Sequence, residues 1–190
     1  MIYNHNFEAM PRDDLAQLQI ERLQTTLNRV YRNVAFYKHV LDTHQIEIEK
    51  IRTLDDIKEL PFTTKEDLRT SYPYDMFALP LRDVVRIHAS SGTTGKPIVV
   101  GYSKNDIMHW SELVARQLTA AGIAEHDVVQ IAFTYSLFTG GLGFHFGAEK
   151  IGASVIPASS HDNLRDQIII MKDFKTSALL CSPSTALALT

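Results

Sequence analysis

From about residue 80 onward, short β-branched runs alternate with amphipathic stretches, and that alternation leaves few folds open. The runs are VVRIHA (84–89), IVVGY (98–102), VVQIAF (128–133), SVIPA (154–158) and SALLC (177–181). Between the second and third, Ile107, Trp110, Val114, Leu118 and Ala121 recur on one helical face. Ser103 opens that helix with Asp106 as its first-turn partner, and Gly122 is placed to end it. Further helices are predicted through about Gly152 and over 162–174. Apolar strands separated by helices predict an α/β fold with a mostly parallel sheet, βαβαβ in order, joined by right-handed crossovers.

The residues before this region read as helical. Leu23, Leu27, Val30, Tyr31 and Val34 recur at three- and four-residue steps, and a second short helix is predicted from Val34 to about His44. Thr53 and Thr64 each precede an acidic residue three positions on, Asp56 and Asp67, where first-turn N–H groups lack partners. Pro61 and Pro73 punctuate these segments. The expected organisation is a helical segment over 1–79 packed on a partial α/β domain over 80–190. The last residues, PSTALALT, read as a helix just beginning, so the chain is expected to be the front piece of a longer protein.

Composition narrows the function classes. With 190 residues, 45% of them hydrophobic and 22% charged, the chain can bury a core without staples. A net charge of −3 gives no basic surface for nucleic acid or anionic lipid. The single cysteine, Cys181, excludes an internal disulfide and a multi-cysteine zinc cage, and the histidines show no paired metal spacing. No apolar run approaches the roughly 18 residues of a membrane span, and the start has no leader pattern. A cytoplasmic protein is the expectation.

The segment SSGTTGKP, Ser90 to Pro97, carries the strongest chemical signal. Small residues let backbone N–H groups converge on an anion. Ser90, Ser91, Thr93 and Thr94 add hydroxyl donors, and Lys96 adds a mobile positive charge. This suits a polyphosphate, yet it is not a Walker A loop: Gly92 and Gly95 stand two residues apart, Pro97 follows the lysine, and a strand follows. The alternative is a solvent-exposed Ser/Gly turn.

ASSGTTGKPIVVGYS resembles the phosphate-binding loop of the adenylate-forming (AMP-binding) superfamily, specifically its phenylacetate–CoA ligase branch. NVAFYKHVL, LPFTTKEDLRTSYPY and LFTGGLGFHFGAEKIGA resemble that branch too, so the likeness covers most of the chain. The superfamily loop commonly carries lysine after the proline; Ile98 stands there, a replacement typical of this branch. The resemblance implies AMP-forming ligation of an aryl acid, phenylacetate first among them, to coenzyme A through an acyl-adenylate. It implies ATP, magnesium and coenzyme A as reactants or cofactors, with no nucleic acid or membrane partner, and admits a homodimer. Ser90, Ser91, Gly92, Thr93, Thr94, Gly95 and Lys96 would hold the phosphates.

By the same resemblance, Phe133, Tyr135 and Phe138, with Gly140 and Gly141, would line the acid pocket. Aromatic rings stack on a phenyl group edge-to-face or offset. The branch often carries tyrosine where this chain has Phe133, which makes the pocket greasier. Ordinary core packing remains the alternative for these rings. Gly141 and Gly143, with Gly147 and with Asp162 beyond the next strand, form a loose near-miss of a dinucleotide fingerprint. His145 reads as pocket mouth or as a hydrogen-bonded core residue, Cys181 as a small buried hydrophobe, and Lys104 and Lys150 as solvated helix charges. The resemblance places a metal-binding glutamate, a ribose-binding aspartate and a mobile-domain lysine in elements not found before Thr190. The chain alone is expected not to complete a turnover.

Overall fold

A single helical turn, α1 (His5–Glu8), is followed by Pro11, whose φ of −53° leads into the long helix α2 (Arg12–Asn33). The computed structural model describes residues 1–90, 95–137, 139–159 and 164–189. Val34 is extended and nearly fully buried, and the chain turns there into α3 (Ala35–Thr43). The apolar face of α2 buries Ile20 and Leu27 against Leu41 of α3 and against Ile48 and Ile51 beyond it. Thr53 and Thr64 behave as read from the sequence. Asp67 at the start of α4 (Lys65–Thr70) accepts from the Thr64 hydroxyl at 2.6 Å and the Thr64 N–H at 2.7 Å. Asp56 accepts from the N–H groups of Arg52 and Thr53 at 2.9 and 2.8 Å.

The strands β1 (Val84–Ala89) and β2 (Val99–Ser103) form a two-stranded sheet of their own. Sequence periodicity cannot name a strand's partner, and here the first two runs stand apart from the parallel sheet. One compact unit is Ala9–Tyr102.

The other unit comprises Met1–Glu8 and Ser103–Thr190. Ser103 caps α5 (Lys104–Ala120), its hydroxyl accepting from the Asp106 N–H at 3.2 Å while Asp106 accepts from the Ser103 N–H at 2.8 Å. Gly122, at φ +100°, supplies the left-handed conformation that ends the helix. There follow β3 (Val128–Ile131), α6 (Gly140–Ile151), β4 (Ser154–Ile156), α7 (Leu164–Asp173), β5 (Ala178–Leu180) and α8 (Pro183–Ala188). The sheet order is β4-β3-β5, all parallel, with Val129 paired to Val155 on one side and to Ala178 on the other. A central parallel strand is buried on both faces, and Val129, Gln130 and Ile131 are each at 0% exposure. The N-terminal residues belong to this unit through Tyr3, whose hydroxyl donates to the Lys150 carbonyl at 3.1 Å, and Asn4, whose amide donates to Glu112 at 2.6 Å.

Helices α5 and α6 approach closely because glycines face bulky partners. A Cβ placed on Gly143 would lie 2.6 Å from Cζ2 of Trp110, and one on Gly147 would collide with Val114. Gly143→Ala is expected to cost about 1–3 kcal/mol by overpacking this seam, read as a lowered denaturation midpoint. A midpoint equal to wild type would show that the seam yields without strain.

The cap carboxylates also set the response to acid. Thr64 hydroxyl and N–H donors hold Asp67 below the ordinary carboxylate range. The N–H groups of Arg52 and Thr53 do the same for Asp56, and the Ala124 N–H with the Ser177 hydroxyl does so for Asp127. A lowered folded pKa contributes stability that is complete above the unfolded value of about 3.9 and is lost as pH falls through the folded value. Thermal midpoints should therefore drop on acidification below about pH 4, and Asp67→Asn should flatten that drop. An unchanged acid slope would contradict the assignment.

Candidate active site

Ser90 closes the neck of the loop between β1 and β2. Its N–H donates to the Ile98 carbonyl at 2.9 Å, and its hydroxyl oxygen accepts from the Ile98 N–H, also at 2.9 Å. This pair of hydrogen bonds fixes where the chain leaves β1 and returns toward β2. The Ser90 hydroxyl still has its own proton to donate. Ser91, Gly92, Thr93 and Thr94 lie outside the described residues. Gly95 takes φ +138°, a backbone conformation that a side chain would strain. Lys96 is exposed, and its Nζ lies 5.6 Å from the centroid of the Tyr72 ring. A weak cation–π contact of this kind parks the ammonium at little cost, leaving it available to an anion. Buried His88, on β1, packs edge-on to Tyr102, on β2, with ring centroids 5.6 Å apart.

The second group of site residues follows β3. The sheet order makes the chain leave β3 toward β4 and return past it to β5, so direction reverses beside β3. Open α/β sheets bind ligands at the carboxyl edge of such a point. Phe133 and Tyr135 leave β3 there, while Cys181 and Ser182 leave β5. The Ala132 N–H donates to the Leu180 carbonyl at 2.8 Å, which holds the two exits together.

Phe133 is half-buried, packs on the core and stacks on Phe144 with centroids 5.4 Å apart and planes at 19°. Gly140 begins α6, and Gly141 is packed under the segment after β3: a Cβ there would lie 3.1 Å from the Thr134 carbonyl oxygen and 3.4 Å from the Tyr135 ring. Phe138 lies outside the described residues. The structure thus gathers Phe133, Tyr135, Gly140 and Gly141 around one strand-to-helix junction. Burial, followed by the charge of Glu149, pushes the Tyr135 hydroxyl up to about 12, so it stays protonated across physiological pH.

Two partners of Tyr135 escape simple motif reading. Its hydroxyl lies 3.2 Å from Nδ1 of His145, and Nε2 of His145 lies 3.1 Å from Oε1 of Glu149. His145 is therefore hydrogen-bonded, as one of its two sequence readings held. The i,i+4 spacing of His145 and Glu149 on a helix was visible in the sequence; the contact across ten residues to Tyr135 was not. Cys181 follows β5 and is half-buried, with burial pushing its thiol up. Lys150 is tied at 3.8 Å to Glu112, a surface ion pair on the α5–α6 face.

The dinucleotide alternative fails on packing. Gly143 and Gly147 face Trp110 and Val114, so these glycines serve helix contact instead of a pyrophosphate. Its acidic residue, Asp162, lies outside the described residues. Among the described residues there is no group of three or more His, Cys, Asp or Glu that could hold a metal ion. These residues therefore form no cage for magnesium. No described helix is long and apolar enough to cross a membrane.

Comparison with known proteins places these features. No family model matches the chain. The chain is 48% identical over 182 residues to the phenylacetate-coenzyme A ligase of Escherichia coli (strain K12), a span of 96% of this chain and 41% of that protein. It is 46% identical over 186 residues to the enzyme of the same name from Thermus thermophilus, covering 98% of this chain and 42% of that one. The chain thus spans about two fifths of the length of these curated relatives. Among solved structures, a 2-hydroxyisobutyryl-CoA ligase in complex with 2-HIB-AMP and CoA superposes with a TM-score of 0.88 at 26% identity. That match covers 95% of this chain and 39% of the ligase. An open conformation of the same ligase, at 24% identity and a TM-score of 0.87, shares the fold.

Proposed function

We propose, from a sequence that is similar over nearly its whole length to phenylacetate–CoA ligases, that the complete polypeptide containing these residues joins an aryl acid to coenzyme A. The acid of first choice is phenylacetate. The observation that carries this reading is the breadth of the likeness, which takes in the glycine-rich loop and the aromatic segment after β3 alike. The curated relatives are named for this activity, and a solved structural neighbour, a 2-hydroxyisobutyryl-CoA ligase, is in complex with 2-HIB-AMP and CoA.

A free carboxylate resists attack by a thiol because its oxygen is a poor leaving group. Attack of the carboxylate oxygen on the α-phosphate of ATP forms the acyl-adenylate and releases pyrophosphate. The CoA sulfur then attacks the acyl carbon and expels AMP, giving the thioester. Chemistry of this kind depends mainly on positioning and on stabilising charge as it separates. Lys96, with the hydroxyl of Ser90 and the backbone and hydroxyls of Ser91 to Gly95, supplies positive charge and donors for the departing pyrophosphate. Phe133, Tyr135 and Phe138, with Gly140 and Gly141, shape the acid pocket. Magnesium, where used, travels with the nucleotide.

The test is product formation by the complete polypeptide supplied with ATP, CoA and a panel of acids. Phenylacetyl-CoA, AMP and pyrophosphate in equal amounts are expected. Failure of every aryl acid to release pyrophosphate would overturn the proposal.

A further inference from the structure

The Tyr135–His145–Glu149 chain decides where protons reside, and this bears on which acids the site can recognise. Glu149 is a carboxylate, an acceptor only, so the 3.1 Å contact to His145 requires the proton on Nε2. A neutral imidazole protonated at Nε2 presents a lone pair at Nδ1. The 3.2 Å contact to Tyr135 is then made by the tyrosine O–H donating to Nδ1. High resistance of the Tyr135 hydroxyl to ionisation keeps that proton in place. The consequence is directional: the hydroxyl's proton is committed to His145, and only its oxygen lone pairs remain for a third group.

The ring is held in this pose from several sides. His145 packs edge-on against Tyr135, with centroids 5.8 Å apart and planes at 89°, and edge-on against Phe146. A Cβ on Gly141 would lie 3.4 Å from the Tyr135 ring, which places that ring over the start of α6. Both Tyr135 and His145 are half-buried, at the junction that emerges from the carboxyl edge of the sheet. A hydroxyl pre-set as acceptor discriminates strongly, because a site built for a donor leaves its polar group unpaired when the donor is missing.

We propose that Tyr135, with its proton committed to His145, is a specificity-determining residue that accepts a hydrogen bond from an aryl acid bearing a ring hydroxyl or ring N–H. His145 and Glu149 are positioning residues that act through it. This inference rests on the aryl-acid reading above and concerns how the site ranks ring-substituted acids beside phenylacetate itself.

The experiment compares kcat/KM of the complete polypeptide for each ring-hydroxylated phenylacetate against its methyl isostere, in wild type and variants. In wild type, one hydroxyl isomer should exceed its isostere by about tenfold or more, the worth of one hydrogen bond to a buried group. That ratio should fall to near unity in Tyr135→Phe and in His145→Leu. It should be retained in His145→Asn, whose side-chain oxygen can take over the Nδ1 acceptor role. A merely structural role would lower all rates together and leave the ratio alone. On the chain itself, ¹⁵N NMR of the imidazole at neutral pH should find the proton on Nε2, and circular dichroism should confirm that each variant is folded. Phenylacetate turnover with a wild-type ratio near unity, a ratio insensitive to Tyr135→Phe, or a proton on Nδ1 would overturn the inference while leaving the aryl-acid reading intact. No adenylate from any aryl acid would overturn both.

Discussion

Replacing Lys96 with alanine is expected to slow acid adenylation by about a hundredfold in the complete polypeptide. The loop donor acts as charge separates on the departing pyrophosphate, and one such contact is worth roughly 3 kcal/mol of transition-state stabilisation. Thioester formation from a supplied acyl-adenylate should change far less, since no pyrophosphate is present in that step. The exposed position of Lys96, in contact with the Tyr72 ring, gives its side chain no core role to confuse the result. Equal slowing of both half-reactions would mean that the residue organises the loop instead of clamping phosphate.

The second large effect concerns stability. Gln130 and Gln167 are nearly fully buried and share a network that links β3 and α7 to the segments after β4 and before β5. Gln130 donates to the Gln167 side-chain oxygen at 2.7 Å and accepts from the Thr176 hydroxyl at 3.0 Å. Gln167 in turn donates to the Ser159 carbonyl at 2.9 Å, where the chain takes a positive φ after β4. Gln130→Leu preserves bulk but strands two polar partners, and the expected loss is about 3 kcal/mol or more, since each orphaned group costs roughly 1–3 kcal/mol. Equilibrium denaturation should also show coupling with Gln167→Leu, because the double variant removes both ends of the central bond. A loss below about 0.5 kcal/mol, the scatter of surface substitutions, would show that the network contributes no net stability.

Much of the fold was legible because local signals and global structure agree. Ser103 with Asp106, Thr64 with Asp67, and Gly122 at the end of α5 each mark a helix end by chemistry visible in the sequence. The parallel pairing of β3 with its neighbours follows from apolar strands divided by helices. What stayed hidden needed partners distant in sequence. Periodicity identified VVRIHA and IVVGY as strands but could not separate them from the parallel sheet. Gln130 sits inside an apolar run, and only its burial on a central strand reveals the polar network around it. A lone glutamine in such a run is the signal that could have raised the question.

The candidate site divides in the same manner. Composition of the loop indicated an anion, and Ser90 ties its ends through a pair of hydrogen bonds to Ile98 that no motif describes. Phe133 stacks in the core on Phe144 and follows β3 at the carboxyl edge of the sheet, so its packing is seen directly and its pocket role stands as part of the proposal. The glycines of the aromatic segment could not be sorted by sequence, because helix packing and ligand approach both demand a missing side chain. Trp110 and Val114 decide the matter for Gly143 and Gly147.

The most direct test is acid-dependent exchange of labelled pyrophosphate into ATP by the complete polypeptide, without CoA present. Exchange reports only the adenylation step, which is the step assigned to the loop. Phenylacetate should support rapid exchange, an aliphatic acid of similar size should support little, and Lys96→Ala should suppress it by about a hundredfold. Absence of exchange with every aryl acid, from a folded protein that still binds ATP, would contradict the account.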